Sequence, residues 1–223
     1  AIDYNIQGPS FTVSTACSSG GDAINTACMC MQSGKADIML AVGAESVLCP
    51  LVIYSLANAK ALSRRNDSPS TASRPFDVTR DGFVIGEGGG ALVLETEESA
   101  NGRNTRKYAE IKGYAQAHRP VSYDNSEVDS KAVVEVIEKA CVNAGIEADN
   151  IDFVCCDDRK IIKTLMPCYD VSQEIGNARA AASAMTAAYA AELLSDSEKN
   201  YEYGLALSMG AGGTYSAVIL KKV

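Results

Sequence analysis

Phe11-Thr12-Val13-Ser14-Thr15-Ala16-Cys17-Ser18-Ser19-Gly20-Gly21 is the stretch on which the reading of this chain turns. Phe11 to Val13 is short and β-prone. Small residues and two glycines follow, and then a run of small and apolar residues at helical spacing from Ala23 to Met31. The pattern predicts strand, tight turn and helix, with Cys17 on the turn. The helix start offers unpaired backbone N–H groups and the positive end of its dipole. A thiol placed there has its thiolate favoured, and the thiolate is the nucleophile. The alternative is a buried cysteine that only packs, as most free cysteines do.

A second stretch bears on the choice. Arg74-Pro75-Phe76-Asp77 is followed by Arg80-Asp81-Gly82-Phe83-Val84-Ile85-Gly86-Glu87-Gly88-Gly89-Gly90 and the apolar run Ala91 to Leu94. Near the C-terminus stands Ser208-Met209-Gly210-Ala211-Gly212-Gly213-Thr214. With Thr15-Ala16-Cys17-Ser18-Ser19, these blocks resemble, in order, the β-ketoacyl synthases of fatty-acid and polyketide assembly, members of the thiolase superfamily. The resemblance implies an α/β, thiolase-like layered αβαβα fold built from two similar halves. Residues 1–106 would be the remainder of the first half, carrying the nucleophile turn, and residues 107–223 the second half. A weak internal echo fits: Gly86 to Leu94 and Gly210 to Leu220 are both glycine turns feeding an apolar strand. In the family a substantial segment precedes the nucleophile turn. The expectation is therefore an incomplete fold, the C-terminal part of a synthase completed by a complementary N-terminal ketosynthase half or partner chain, as a dimer or heteromer.

The residues themselves give an outline of elements. Asp37 to Gly43 suits a strand buried on both faces. Residues 51–62 look helical, and Ser63 to Ser73 reads as a polar loop. Gly90 to Glu95 and Ala109 to Ala117 read as strands, with Thr96 to Lys107 an exposed connection between them. Val133, Val136, Ile137, Ala140, Cys141 and Ala144 recur at threes and fours, and Gly145 can close that helix. Ile151 to Cys156 reads as a buried strand, Ala178 to Leu194 as an Ala-rich helix, and Tyr203 to Ser208 and Tyr215 to Lys221 as strands flanking the glycine turn. Strands alternating with helices indicate a layered α/β protein.

Bulk properties exclude several classes. The chain has 223 residues, 47% apolar and 22% charged, with a formal net charge of −8. The negative charge argues against a nucleic-acid partner. No apolar run reaches the length of a membrane span, so no membrane role is expected. The start, Ala1 to Asn5, does not read as a signal peptide. Eight cysteines, at 17, 28, 30, 49, 141, 155, 156 and 168, make no disulfide framework and suit reduced thiols in a cytoplasmic protein. Cys28-Met29-Cys30 and Cys155-Cys156 do not suit a zinc site, given a single histidine and an i, i+2 pair within a helix.

The resemblance implies a mechanism. A ketosynthase moves an acyl group from the phosphopantetheine thiol of an acyl carrier protein to its cysteine, then decarboxylates a malonyl thioester and joins the carbanion to the acyl group. No bound cofactor is implied; phosphopantetheine comes on the carrier. The backbone N–H groups of Cys17 and Ala211 would form the oxyanion hole. Family members carry two histidines for condensation; Asp157 and Asn177 take those places, and Ser172 takes that of the usual lysine. Smaller or softer Met209 and Ala211 replace aromatic gate residues. His118 reads as structural. The resemblance thus implies an acyl-handling subunit with condensation impaired or lost. The alternative is a non-catalytic, chain-length-factor-like partner, although such factors usually lack the nucleophile.

Overall fold

The computed structural model describes residues 2–120, 129–156 and 166–223. Two sheets and two helical layers alternate. The first helix, α1 (Ser19–Gln32), leads into strand β1 (Ile38–Glu45), which pairs antiparallel with β2 (Gly88–Glu95). Helix α2 (Pro50–Asn58) and the loops to Glu87 connect them. Helix α3 (Glu97–Arg103) then leads to β3 (Glu110–His118) and α4 (Ser130–Ala144). Next come β4 (Phe153–Cys156), β5 (Cys168–Tyr169), the short α5 (Ser172–Ile175), α6 (Ala182–Ser195), β6 (Tyr203–Gly210) and β7 (Thr214–Lys221). The second sheet has the order β3-β7-β6-β4-β5.

Strand alternation divides the core into two layers. Val154, Cys156, Leu205, Leu207, Ala217 and Ile219 face α4, which inserts Val133, Val136 and Ala140. Phe153, Cys155, Ala206, Val218 and Leu220 point the other way, onto Ile24 of α1 and Ala187, Ala190 and Leu194 of α6. Both faces of β4 are therefore covered, as its unbroken apolar run predicts. The layer of α1 and α6 also covers one face of β1–β2 through Ala41 and Leu94.

The spacing of α4 is met residue for residue, with Ile137 only partly buried. Asp129 caps its start by accepting from the Lys131 N–H at 2.9 Å, and Gly145 closes it in the left-handed region at φ 69°. Three expectations differ. Phe11 to Val13 forms no strand; only an isolated bridge joins Thr15 to Cys17. Thr96 to Lys107 is not all open connection, since α3 forms there, capped by Thr96, whose side chain accepts from Ser99 N–H, and by Asn104 at φ 50°. Strand β1 is covered on one face only: Ile38, Leu40 and Val42 remain exposed on the other. An all-apolar run reads alike whether both faces or one are covered within the chain.

Candidate active site

Cys17 sits immediately before α1, half-buried, on a turn tied by its neighbours. Ala16 adopts φ 58°, a left-handed conformation that an L-residue holds only where surrounding contacts enforce it. Those contacts are visible. The Ser18 hydroxyl donates to the Thr15 carbonyl at 2.8 Å. The Ser19 hydroxyl donates to the Ala16 carbonyl at 2.6 Å and accepts from the Thr15 N–H at 2.9 Å. Ser18, at the N-cap, makes no side-chain cap to the helix; the Ser19 N–H instead donates to the Ala16 carbonyl at 3.1 Å, closing the turn that bears Cys17. The tight turn that the sequence indicates at Cys17 is present, held by hydroxyls rather than by a preceding strand.

The β6–β7 turn presses against it. Gly213 closes the turn at φ 87°, its N–H donating to the Gly210 carbonyl at 2.9 Å. A Cβ at Gly210 would lie 2.7 Å from the Thr15 carbonyl oxygen and 3.0 Å from Ser18 Oγ. Only a residue without a side chain allows that approach. Ala211 stands next in the turn and is exposed. The structure thus brings the stretches of Cys17 and Ala211 together, although they are far apart in sequence. Met209 is buried on the α4 side of the second sheet, the face opposite α1.

Asn177 lies at a third backbone junction. Its N–H donates to the Val84 carbonyl at 2.7 Å, and its carbonyl accepts from the Gly86 N–H at 2.9 Å. Its side-chain Oδ1 accepts from the Arg179 N–H at 2.8 Å, leaving the Nδ2 group as its side-chain donor. Asn177 and Ser172 line one small pocket with Arg74, Arg80 and Phe83. The segment after Asn177 packs on the start of α1: a Cβ at Gly20 would meet the Ala184 nitrogen at 2.8 Å, and the Gly21 N–H donates to Ser183 Oγ at 3.0 Å. Asp157 lies outside the described residues.

Sequence reading did not single out Asp22. It sits in the first turn of α1, almost wholly buried, and gathers polar partners beneath the cysteine turn. Burial pushes its carboxyl above the usual carboxylate range, opposed by hydrogen bonds from Thr15, Gln116, Ser18 and Ser216. The available signal was a lone acid among small residues on a helix otherwise read as core.

The remaining thiols have different surroundings. Burial pushes Cys28 up to about 11, and it raises Cys141 and Cys155 as well. Cys49 is exposed, and Cys156 and Cys168 lie with their sulfurs 3.3 Å apart. His118, at the end of β3, is exposed with its Nδ1 3.3 Å from Thr214 Oγ1.

A cysteine turn ahead of a buried helix, closed by a glycine turn between the last two strands of an α/β layered core, defines a thiolase-like ketosynthase fold. The chain superposes with a TM-score of 0.90 on a type II polyketide ketosynthase solved in complex with its acyl-carrier protein, at 27% identity over 100% of this chain and 65% of that one. A β-ketoacyl synthase from Burkholderia phymatum gives a TM-score of 0.86 at 25% identity, over 95% and 61% of the two chains. The family model for the β-ketoacyl synthase N-terminal domain matches residues 1–100. The 3-oxoacyl-[acyl-carrier-protein] synthase 2 of Vibrio cholerae is 36% identical over 219 residues, 98% of this chain and 50% of the relative. The actinorhodin polyketide putative β-ketoacyl synthase 1 of Streptomyces coelicolor is 38% identical over 148 residues, 66% of this chain and 32% of the relative. The chain belongs to the β-ketoacyl synthase family of the thiolase superfamily. It spans half or less of the length of these two curated relatives.

Proposed function

We propose that this chain is the acyl-accepting part of a fatty-acid or polyketide ketosynthase, loading an acyl group on Cys17 from the phosphopantetheine thiol of an acyl carrier protein. The observation that carries the reading is the abutment of the Gly210 turn on the Thr15–Ser18 turn. It supports the reading by bringing the turn that holds Ala211 against the turn that carries the half-buried Cys17.

The step follows from that arrangement. The Cys17 thiolate attacks the thioester carbonyl carbon, and negative charge develops on the carbonyl oxygen. The N–H groups of Cys17 and Ala211 donate to that oxygen. The carbon–sulfur bond to pantetheine then breaks, and the departing thiolate takes up a proton. Backbone donors are preorganised and do not depend on side-chain identity, so this half of the chemistry survives substitution around it.

Condensation is impaired in this reading. An enolate forms when the malonyl unit loses carbon dioxide, and neutral donors must meet its oxygen. Asn177 can donate through Nδ2, but its Oδ1 is committed to the Arg179 N–H. An anionic Asp157 at the other position would oppose the enolate, and the repulsion is poorly screened in a dry pocket. A complementary ketosynthase half, as a dimer or heteromer, completes the enzyme. A chain-length-factor-like role is the second reading, favoured by Asn177 and disfavoured by the retained Cys17.

The test is incubation of the chain with an acyl-pantetheine thioester followed by peptide mass spectrometry. Acylation is expected at Cys17 and not at Cys28, Cys141 or Cys155, which burial keeps protonated. Acyl groups absent from Cys17, or spread evenly over the cysteines, would overturn the reading.

A further inference from the structure

We propose that Asp22 is a positioning residue for Cys17, acting through Thr15 to hold the nucleophile turn against strand β3. The proposal rests on the acyl-accepting reading of Cys17. Its basis is a chain of contacts that passes beneath the turn and leaves it on both sides. The Thr15 hydroxyl donates to Asp22 Oδ2 at 2.5 Å, and Ser18 Oγ stands 3.4 Å from the same oxygen. Thr15 and Ser18 bracket Ala16 and Cys17. On the other side, Gln116 Nε2 of β3 donates to Asp22 Oδ1 at 2.8 Å. One helical turn further along α1, Asn25 Nδ2 donates to the Ala115 carbonyl of β3 and to Ser216 Oγ of β7, each at 3.0 Å.

Four features make this more than a structural tie. First, the tie meets the turn where it is strained: Ala16 at φ 58° needs contacts on both flanks to stay there. Second, Thr15 is doubly engaged. Its carbonyl accepts from Ser18 and faces Gly210, while its hydroxyl reaches Asp22, so a shift of Thr15 moves the Cys17 turn relative to the Ala211 turn. Third, a carboxylate has only acceptors, so Asp22 fixes the direction in which both the Thr15 hydroxyl and the Gln116 amide point. Fourth, an almost wholly buried acid among small residues is costly for a helix that packs well without it. Asp22 thus governs the distance between sulfur and oxyanion donors, and not the affinity for the acyl donor.

The test uses the full 223-residue chain, hexanoyl-pantetheine as the acyl donor, and single-turnover acylation of Cys17 read by intact-peptide mass spectrometry across donor concentrations. Thr15→Val keeps the shape and removes the hydroxyl. It is expected to lower the limiting acylation rate roughly 10- to 100-fold, the scale of a small misplacement of reacting atoms, with half-saturation changed less than about 2-fold. Thr15→Ser restores the hydroxyl and is expected to restore the rate to within about 3-fold of the parent. Asp22→Asn is expected to lower the limiting rate likewise, and the Thr15→Val/Asp22→Asn double variant to be no slower than the worse single variant, because both break one chain of contacts. Parent-like rates in Thr15→Val, an effect confined to half-saturation, or no rescue by Thr15→Ser would each overturn the proposal. If Asp22→Asn does not fold, the Thr15 pair alone decides. Should the parent chain not acylate at Cys17, the proposed function falls and this inference with it. If the parent acylates and the variants match it, only the inference falls.

Discussion

Gly210 stands so close to Thr15 that a single added carbon would come within 2.7 Å of the Thr15 carbonyl oxygen. That carbonyl is already bonded to the Ser18 hydroxyl, in the same turn that carries Cys17. The contact is between main chains, with no side chain able to yield. Gly210→Ala must therefore push the β6–β7 turn away from the cysteine turn. The expected result is loss of roughly 100-fold or more in Cys17 acylation, the scale for removing one oxyanion donor. Stability should fall by only about 1–3 kcal/mol, the usual cost of overpacking. Acylation kinetics beside a thermal melt separate the two.

On the proposed reading, condensation should respond to positions 157 and 177. Asp157→His combined with Asn177→His is expected to raise release of carbon dioxide and formation of β-ketoacyl product, with acylation of Cys17 unchanged. The assay combines the chain with its complementary ketosynthase half, an acyl donor and a malonyl carrier protein. Turnover by the parent equal to that of an ordinary synthase would place the enolate donors elsewhere.

The loop ahead of β2 should loosen in acid as Asp81 takes up its proton. Asp81 accepts from the Arg64 N–H, the Ser63 hydroxyl and Arg74, which hold its pKa down to about 2, the Arg64 N–H foremost. An unfolded aspartate titrates near 3.9. With the folded value depressed, these contacts stabilise the loop above about pH 4 and are lost as pH falls toward 2. Hydrogen exchange of the Arg64 and Ser63 amides, or NMR titration of Asp81, checks this. Asp81→Asn should remove the acid-dependent step while leaving a loop already loosened at neutral pH.

The uncovered face of β1–β2 should make the chain associate. Ile38, Leu40 and Val42 of β1 and Val93 of β2 are each between 46% and 66% exposed. Contiguous exposed apolar surface of this kind drives association. Light scattering coupled to size exclusion should show species larger than a monomer. Leu40→Lys with Val42→Lys should reduce them, leaving the other face, through Ala41, in place.

What the sequence revealed and what it hid divide along physical lines. The period of α4 states its own burial, because side chains recurring at threes and fours share one face, whereas the apolar runs of β1 and β4 read alike although only β4 is covered on both faces. The Cys17 turn was legible for a different reason: small residues and glycines are needed wherever main chains approach closely. Phe11 to Val13 misled because β-propensity counts only where a neighbouring strand supplies hydrogen bonds. Helix α3 was hidden by its polarity. Its stability comes from the Thr96 and Asn104 caps and from Glu95, which pairs with Arg103 at 2.8 Å, rather than from an apolar face. Asp22 was invisible as a site residue, since its meaning lies in Gln116, a residue 94 positions away. The use of Asn177 Oδ1 within its own turn belongs to the fold alone.

The glycines around the start of α6 have one more effect. A Cβ at Gly20, Gly43 or Gly90 would meet the main chain of that segment at 2.8 to 3.0 Å, so three separate elements clamp residues 180–185 by close approach. Residue 177 enters this clamp already anchored at its own amide and carbonyl. A change of side chain at position 177 thus leaves these main-chain anchors in place, while a side chain at any of the three clamping positions would displace main chain. The side chain offered at this junction can change long before the shape does.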